Sequence, residues 1–292
     1  MTDIQRIAAR HMALGEGMVV RRLLPARERR MIGAWCFLDH AGPASFEPGR
    51  GMKVGPHPHA GLQTFTWMIE GEVLHRDSLG HEQVVRPGQV NLMTAGHGIA
   101  HSEESLPTAT RLHAAQLWIA LPAGSSHCLP AFEHYPELPM WQEQGCRLIL
   151  LAGHWGSRSA PARLYSDLVG MELLAQQDTT LSLPLNPGHE YGLLPLEGKA
   201  GIGPDALAAD ELAYLSPGRQ QLALALAAGS RALLLGGTPF GEDIVMWWNF
   251  VGSSRAEVTR ARQDWEAGHE RFGAVHGHEG ASLVAPPLPW KA

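Results

Sequence analysis

Two pairs of metal-binding residue types, each spaced two residues apart, most constrain how this chain can fold. His57 and His59 form one pair, His101 and Glu103 form the other, and both pairs lie in extended sequence punctuated by glycine. Alternate side chains of a β-strand point to the same face, so each pair can direct two donors at one point. Four donors on two strands make a metal's coordination shell. The sequence therefore predicts a metal held inside a β-barrel.

Short apolar or alternating segments separated by glycine and proline predict antiparallel β-structure, as a barrel or a sandwich. The dipeptides Glu70-Gly71 and Pro87-Gly88 have the composition of turns between such strands. These turns can return the chain so that the strand carrying His101 lies near the strand carrying His57. The predicted strands cover residues 64–69, 84–85, 90–93, 116–120, 148–151, 181–185 and 222–226.

The length of 292 residues and the hydrophobic content of 45% indicate two domains. We expect a metal-binding domain over residues 1–130, a linker over 131–145 and a second domain over 146–292. In the second half, Glu197-Gly198 and Pro217-Gly218 repeat the two turns at offsets of 127 and 130 residues, which indicates a diverged internal repeat. Those repeated turns lack a matching His-x-His or His-x-Glu, so we expect one metal site per chain.

The C-terminal region predicts one helix followed by a tail. Ser254 is a candidate N-cap with Glu257 three residues later, and Ala-, Arg- and Glu-rich sequence continues to about Arg271. The side of this helix expected to pack on a barrel carries Val258, Ala261, Trp265 and Phe272. A further His-x-His at His276 and His278 has no second pair nearby, and we interpret it as part of a solvated tail.

The charge distribution argues against binding to nucleic acid or to an anionic membrane. The net charge is −6, and the chain has no dense cluster of lysine and arginine. Small molecules or proteins are the expected partners. The N-terminus lacks a basic segment followed by an apolar one, which predicts a cytoplasmic protein. Three widely spaced cysteines without a C-x-x-C motif predict neither a disulfide framework nor a zinc knuckle.

The segments around both donor pairs, GPHPHAG at 55–61 and MTAGHGIAHSE at 93–103, resemble the two cupin motifs of the pirin family. Residues 37–40, 116–118 and 247–252 also resemble pirin segments, so the resemblance covers most of the chain. It implies an all-β bicupin of two jelly-roll β-barrels, here with a C-terminal α-helix. It further implies that the N-terminal barrel holds one divalent metal ion, Fe(II), and that the C-terminal barrel is empty. The family's ligands fall on His57, His59, His101 and Glu103.

This sequence differs from related proteins in two places that affect how the family's site residues are assigned to it. Many cupins outside the family take their carboxylate ligand from the first motif, where this chain has the uncharged Gln63, so Glu103 is the natural anionic ligand. Glu104 is a nearby rival, although alternation along a strand favours Glu103 over Glu104. Glu104 and Ser105 also replace the Met-Pro that is commoner in pirins, which affects the expected shape of the pocket rim.

The resemblance implies quercetin 2,3-dioxygenase activity. In that reaction a flavonol binds the metal through its 3-hydroxyl, loses the hydroxyl proton, and is cleaved by O₂ with release of carbon monoxide. A small aromatic substrate and O₂ would be the partners, and Glu103 is the expected proton acceptor. The alternative that the resemblance also implies is an iron-dependent, redox-sensing protein that modulates a transcription regulator or a metabolic enzyme. An unrelated small-molecule reaction in the same barrel stays open, because a fold does not determine its substrate.

The sequence does not assign substrate-binding residues. Phe65, Trp67 and Met93 can line an aromatic cavity, but apolar residues that face into a barrel more often form plain core. His97 can contact substrate or can cap the turn from Gly96 to Gly98, and we favour the structural role.

Overall fold

The structure, a computed structural model, describes residues 4–14 and 18–291. These residues form strands and a single helix, α1 (Arg255–Glu266). The strands of the first part of the chain are β1 (Ile4–Ala8), β2 (Arg10–Leu14), β3 (Met18–Leu24), β4 (Trp35–Ser45), β5 (Lys53–His59), β6 (Leu62–Glu70), β7 (Val73–Asp77), β8 (Glu82–Val85), β9 (Val90–Thr94), β10 (Ile99–Ser105), β11 (Arg111–Ala120), β12 (Ala131–Tyr135) and β13 (Met140–Glu143). The remaining strands are β14 (Cys146–Ala152), β15 (His154–Trp155), β16 (Arg158–Ser159), β17 (Leu168–Ala175), β18 (Thr179–Pro184), β19 (Glu190–Glu197), β20 (Ala200–Ile202), β21 (Asp205–Leu207), β22 (Glu211–Leu215), β23 (Gln221–Leu226), β24 (Arg231–Gly237), β25 (Val245–Trp247) and β26 (Phe250–Gly252).

The chain divides into two compact units. The first unit, which contains both donor pairs, comprises residues 12–14, 18–20, 41–136 and 241–291. The second unit comprises residues 4–11, 21–40 and 137–240. The predicted all-β fold with one helix is confirmed. The boundaries between the two units differ from those predicted.

The first unit is built from two antiparallel sheets. One has four strands in the order β5-β10-β7-β8, and the other has seven in the order β12-β9-β6-β11-β4-β3-β2, where β2, β3 and β4 contain residues of both units. Buried residues of both sheets pack into one apolar cluster, because alternate side chains of each strand face inward. The cluster comprises Met18, Val20, Ala41, Met52, Val54, Met68, Val73, Val85, Leu112 and Ala114.

The second unit has the same kind of construction. Its seven-stranded sheet has the order β1-β22-β19-β24-β17-β14-β13, and its four-stranded sheet has the order β18-β23-β20-β21. Strand β23 shows the underlying pattern, since Leu222, Leu224 and Leu226 are buried while the residues between them are exposed. Leucines of this kind from both sheets form a continuous apolar core.

The predicted linker at 131–145 contains two paired strands, which corrects the predicted boundaries. Strand β12 pairs with β9 in the first unit, and β13 pairs with β14 in the second. The two ends of the chain also belong to other units than predicted. Strand β1 pairs with β22 of the second unit, and α1 with its tail belongs to the first unit. The local sequence pattern does not reveal these assignments, because they depend on pairing between residues distant along the chain.

The predicted helix forms, but it is shorter than predicted. The Ser254 hydroxyl accepts a hydrogen bond from the Glu257 N–H at 3.3 Å, and the Glu257 carboxylate accepts one from the Ser253 N–H at 2.7 Å. The helix ends at Glu266 rather than near Arg271, because Gly268 adopts a positive φ of 66° that terminates it. Within the first unit its buried residues Val258 and Ala261 pack with Ala60, Ala100, Phe250 and Phe272.

None of the helical sequence in the described ranges 4–14 and 18–291 is long and apolar enough to cross a membrane.

Trp35 anchors the core of the second unit, so its truncation should be strongly destabilising. Its ring is fully buried, and its indole N–H lies 3.2 Å from the Val169 carbonyl oxygen and 3.3 Å from that of Gly236. We expect Trp35→Ala to lower the free energy of unfolding by about 3–5 kcal/mol, because a large cavity forms and two buried carbonyls lose a donor. Urea unfolding measures this change. Trp141→Ala, at a half-buried position on the edge strand β13, is the control and should cost clearly less.

Ionised Asp210 should contribute to the free energy of unfolding of the second unit, and this contribution should be lost in acid. Burial raises the pKa of this carboxyl, but hydrogen bonds from His40 at 2.6 Å and Arg21 at 2.8 Å outweigh burial and lower it. An acid with a lowered pKa stabilises the fold fully above its unfolded pKa of about 3.9, and that contribution disappears as pH falls through the folded pKa. The unfolding free energies of wild type and Asp210→Asn should therefore differ at about pH 5 and converge at more acid pH. A difference that stays constant down to acid unfolding would contradict this assignment.

Candidate metal centre

The pairing of β5 with β10 brings the two donor pairs together. The strands are antiparallel, with His101 opposite His57 and Ile99 opposite His59. Strand β5 lies at the edge of its four-stranded sheet, where prolines such as Pro56 and Pro58 are tolerated because an edge strand leaves some N–H groups unpaired. The His-Pro-His sequence thus forms an extended strand whose two imidazoles can lie beside His101.

Three imidazoles converge at this point. Donor nitrogens of His57, His59 and His101 all lie within 4.8 Å of one another. The Nε2 atoms of His59 and His101 are 3.1 Å apart, and the three side chains are 6%, 1% and 1% exposed. The Trp118 ring meets the His59 ring edge-on, with 5.1 Å between their centroids. The cluster is therefore closely packed and shielded from water.

Burial keeps these imidazoles neutral. It lowers the pKa of His57 to about 4, and it lowers the pKa values of His59 and His101 well below the usual range, with the neighbouring histidines adding to the effect. The His57 Nδ1 lies 2.8 Å from the Gly55 carbonyl oxygen, so it carries the proton and leaves the Nε2 lone pair free. A neutral imidazole oriented in this way is ready to bind a metal.

The cluster fits a metal ion. Two ligand nitrogens at right angles around an ion, each about 2.1 Å from it, lie about 3.0 Å apart. The 3.1 Å separation of the His59 and His101 Nε2 atoms has this value. Unless a proton lies between them, two lone pairs at this distance repel, and a bound cation removes the repulsion. The donor set of imidazole nitrogens suits divalent transition metals.

Glu103 lies in a second cluster, with His75 and His101, whose donor atoms are also within 4.8 Å of one another. The pairing of β5 with β10 is irregular here, because Gly55 and Pro56 of β5 stand opposite the single residue between His101 and Glu103. The pairing of β10 with β7 is regular and places Glu103 opposite His75. Simple alternation predicts that all four donors converge, but the structure brings three histidines together and places the carboxylate beside His101 and His75.

The buried surroundings of Glu103 make its carboxyl easier to protonate. Burial raises the pKa of its carboxyl, and the effect is partly opposed by His75 and by a hydrogen bond with Thr66. A carboxylate with a raised pKa holds a proton more readily at neutral pH than one in water. Glu103 therefore has the character of a proton acceptor.

The sequence prediction missed His75. It is 3% exposed, and its Nδ1 lies 3.3 Å from the Nδ1 of His101. A signal was present, because His75 and Asp77 form a further pair spaced two residues apart, on β7, directly before a glycine-containing turn. The same reasoning that singled out His101 and Glu103 applies to this pair.

Two further polar residues that the sequence analysis weighed have other partners. Glu104 forms an ion pair with Arg76. The side-chain N–H of Gln63 donates to the Thr94 hydroxyl at 2.9 Å.

The remaining candidates for the pocket have structural contacts. The His97 Nδ1 lies 3.1 Å from the Cys128 carbonyl oxygen, which agrees with the favoured structural role. Phe65, Trp67 and Met93 are at most 1% exposed, as expected for core. In the tail, His276 is exposed and His278 is partly buried, within a segment whose Leu283 N–H donates to the Pro56 carbonyl at 2.7 Å.

Comparison with known proteins gives matches on both halves of the chain. The family model described as Pirin matches residues 17–119, and the model described as the Pirin C-terminal cupin domain matches residues 170–273. A Pseudomonas aeruginosa protein named "Putative quercetin 2,3-dioxygenase" is 62% identical over 99% of this chain and 91% of its own length.

Solved structures agree with these matches. A crystal structure titled as quercetin 2,3-dioxygenase from Acinetobacter baumannii is 48% identical, with a TM-score of 0.97 over 99% of this chain and 97% of that one. The Escherichia coli pirin YhhW in complex with nickel(II) shares the fold at 21% identity, with a TM-score of 0.66 over 81% of this chain and 99% of that one. The bicupin fold is thereby confirmed, and the chain belongs to the pirin family.

Proposed function

We propose that this chain binds one divalent metal ion through His57, His59 and His101, with Glu103 as the anionic donor, and that it cleaves a flavonol such as quercetin with O₂. The observation that carries the proposal is the buried convergence of three neutral imidazoles within 4.8 Å of one another. The names of the Pseudomonas and Acinetobacter relatives support the choice of reaction.

The donor set supports Fe(II) as the ion. Imidazole and carboxylate ligands suit iron, and three neutral histidines with one carboxylate leave a divalent ion with a net positive charge. A bound ion would supply Lewis acidity toward the flavonol 3-hydroxyl and redox chemistry toward O₂. Metal analysis of the purified protein separates iron from nickel, which is the ion in the YhhW structure.

Two side chains of the protein would accept the substrate proton and exclude water. A carboxylate oxygen of Glu103 is proposed to accept the proton of the flavonol 3-hydroxyl, because burial raises its pKa and imidazoles bound to a metal are poor bases. The buried Trp118 ring beside His59 helps to exclude water. Ring opening with uptake of O₂ would then release carbon monoxide and leave an ester of two aromatic acids.

The proposed partners are thus a small aromatic substrate and O₂. All three cysteines, Cys36, Cys128 and Cys146, are free thiols, which supports a reducing compartment such as the cytoplasm.

His101→Ala should separate metal binding from folding. His101 belongs to both donor clusters, so its loss should weaken metal binding by more than about 100-fold, beyond the usual effect of losing an outer partner of a ligand. Circular dichroism and the unfolding midpoint of the metal-free protein should change little, because the apolar cluster of the first unit consists of other residues. His134→Ala, in the same unit but outside both clusters, is the matched control and should retain the metal. Unfolding of the His101 variant together with metal loss would show that the site is structural instead.

Glu103→Gln should lower turnover more than metal binding. Glutamine keeps an oxygen donor but cannot accept the substrate proton, so flavonol cleavage should fall by about 10²–10⁴-fold. Metal content and carbon monoxide release are measured on the same preparations of wild type and variant. Unchanged turnover at full metal occupancy would exclude Glu103 as the base. Failure of fully metallated wild type to cleave any flavonol would exclude the proposed reaction and favour the redox-sensing role.

A further inference from the structure

A chain of three buried side chains leads away from the histidine cluster. The His101 Nδ1 lies 3.3 Å from the His75 Nδ1, and the His75 Nε2 lies 3.1 Å from the Asp77 Oδ2. Asp77, His75 and His101 are 2%, 3% and 1% exposed. The chain therefore ends on a carboxylate that is shielded from water.

The hydrogen-bond donors around Asp77 determine which atom donates in each hydrogen bond of this series. Its Oδ1 accepts from the backbone N–H groups of Leu79 at 2.9 Å and His81 at 3.1 Å. A carboxylate surrounded by N–H groups is an ionised acceptor, so His75 donates to it through Nε2–H. With its proton on Nε2, the His75 ring presents the Nδ1 lone pair, which can accept the Nδ1–H of His101.

We propose that Asp77 and His75 are positioning residues that hold His101 in the tautomer with its proton on Nδ1. The Nε2 of His101, which faces the Nε2 of His59 at 3.1 Å, is then left as a bare lone pair for the metal. Without these hydrogen bonds, the buried His101 could place its proton on Nε2, and that nitrogen could then no longer donate a lone pair to a metal. The inference deepens the proposed function, because it concerns how one ligand of that metal is prepared.

The surroundings of His75 suit this role. Its ring stacks on Phe132, with 4.3 Å between centroids and 15° between planes. The regular pairing of β7 with β10 sets Asp77 opposite His101 and His75 opposite Glu103, so these four polar side chains share one face of the sheet. Packing and register together leave the ring little freedom to turn.

The same contacts argue against His75 as a metal ligand. His75, His101 and Glu103 lie close enough to hold an ion by distance alone. Yet the Nε2 of His75 is engaged with Asp77 and its Nδ1 with His101, so both ring nitrogens are occupied. An imidazole has no third nitrogen to offer.

Three variants test the inference. His75→Leu removes the acceptor for His101, while His75→Asn keeps a side-chain oxygen close to the position of Nδ1. His81→Ala is the matched control, because His81 also bonds to Asp77, at 3.0 Å, but lies outside the chain to His101. The dissociation constant for Zn²⁺ is measured by competition with a chelator.

We expect His75→Leu to weaken Zn²⁺ binding by about 10–100-fold, as is typical when a ligand loses its outer hydrogen-bond partner. His75→Asn should recover most of the affinity, and His81→Ala should bind like wild type. Equal weakening by leucine and asparagine, or wild-type affinity in the leucine variant, would overturn the inference.

A second measurement does not require metal. Nitrogen-15 NMR of the histidine side chains in the metal-free protein should show His75 protonated on Nε2 and His101 on Nδ1, with the His101 preference lost in His75→Leu. The opposite tautomers in wild type would overturn the inference. If wild type binds no Zn²⁺ but shows these tautomers, the proposed function fails while the positioning chain stands.

Discussion

The antiparallel register between β5 and β10 is the constraint on which the candidate site depends. It sets His101 opposite His57 and brings three imidazoles of two distant segments within 4.8 Å. A slip of one residue would turn the histidines of one strand to the opposite face and disperse the cluster. Strand β10 lies between the edge strand β5 and strand β7, and its regular pairing with β7 holds it in this register.

Burial gives the cluster its chemical character. Burial disfavours the charged form of an imidazole, so each of the three histidines has a lowered pKa and is neutral at physiological pH. Two ring nitrogens facing one another at 3.1 Å repel when neither carries a proton. A cation between them would remove that repulsion, which supports the proposed metal site.

The sequence predicted the fold class, the helix start at Ser254 and the convergence of His57, His59 and His101, because each depends on local spacing that alternation or capping translates into geometry. Glu103 keeps its alternation with His101, but its place beside His75 could not be predicted, since it depends on the pairing of β10 with β7 and on an extra residue in β5. His75 and Asp77 have the same two-residue spacing as the other pairs, but their place beside His101 depends on the pairing of β7 with β10, which the local sequence does not reveal. Which unit each chain end joins depends likewise on distant pairing.

The second unit shows how a related sheet architecture can use similar residue types differently. His189 and Glu190 are buried at the start of β19, and the His189 side chain bonds to Asp167 at 2.9 Å. Both oxygens of Glu190 accept hydrogen bonds, one from the Gly33 N–H at 2.5 Å and one from the Tyr214 hydroxyl at 2.7 Å. Burial and the contact with Glu190 raise the pKa of Tyr214 to about 12, so it stays a donor at physiological pH. A carboxylate whose two oxygens both accept hydrogen bonds stabilises its own unit, whereas in the first unit donor nitrogens of three imidazoles lie within 4.8 Å of one another.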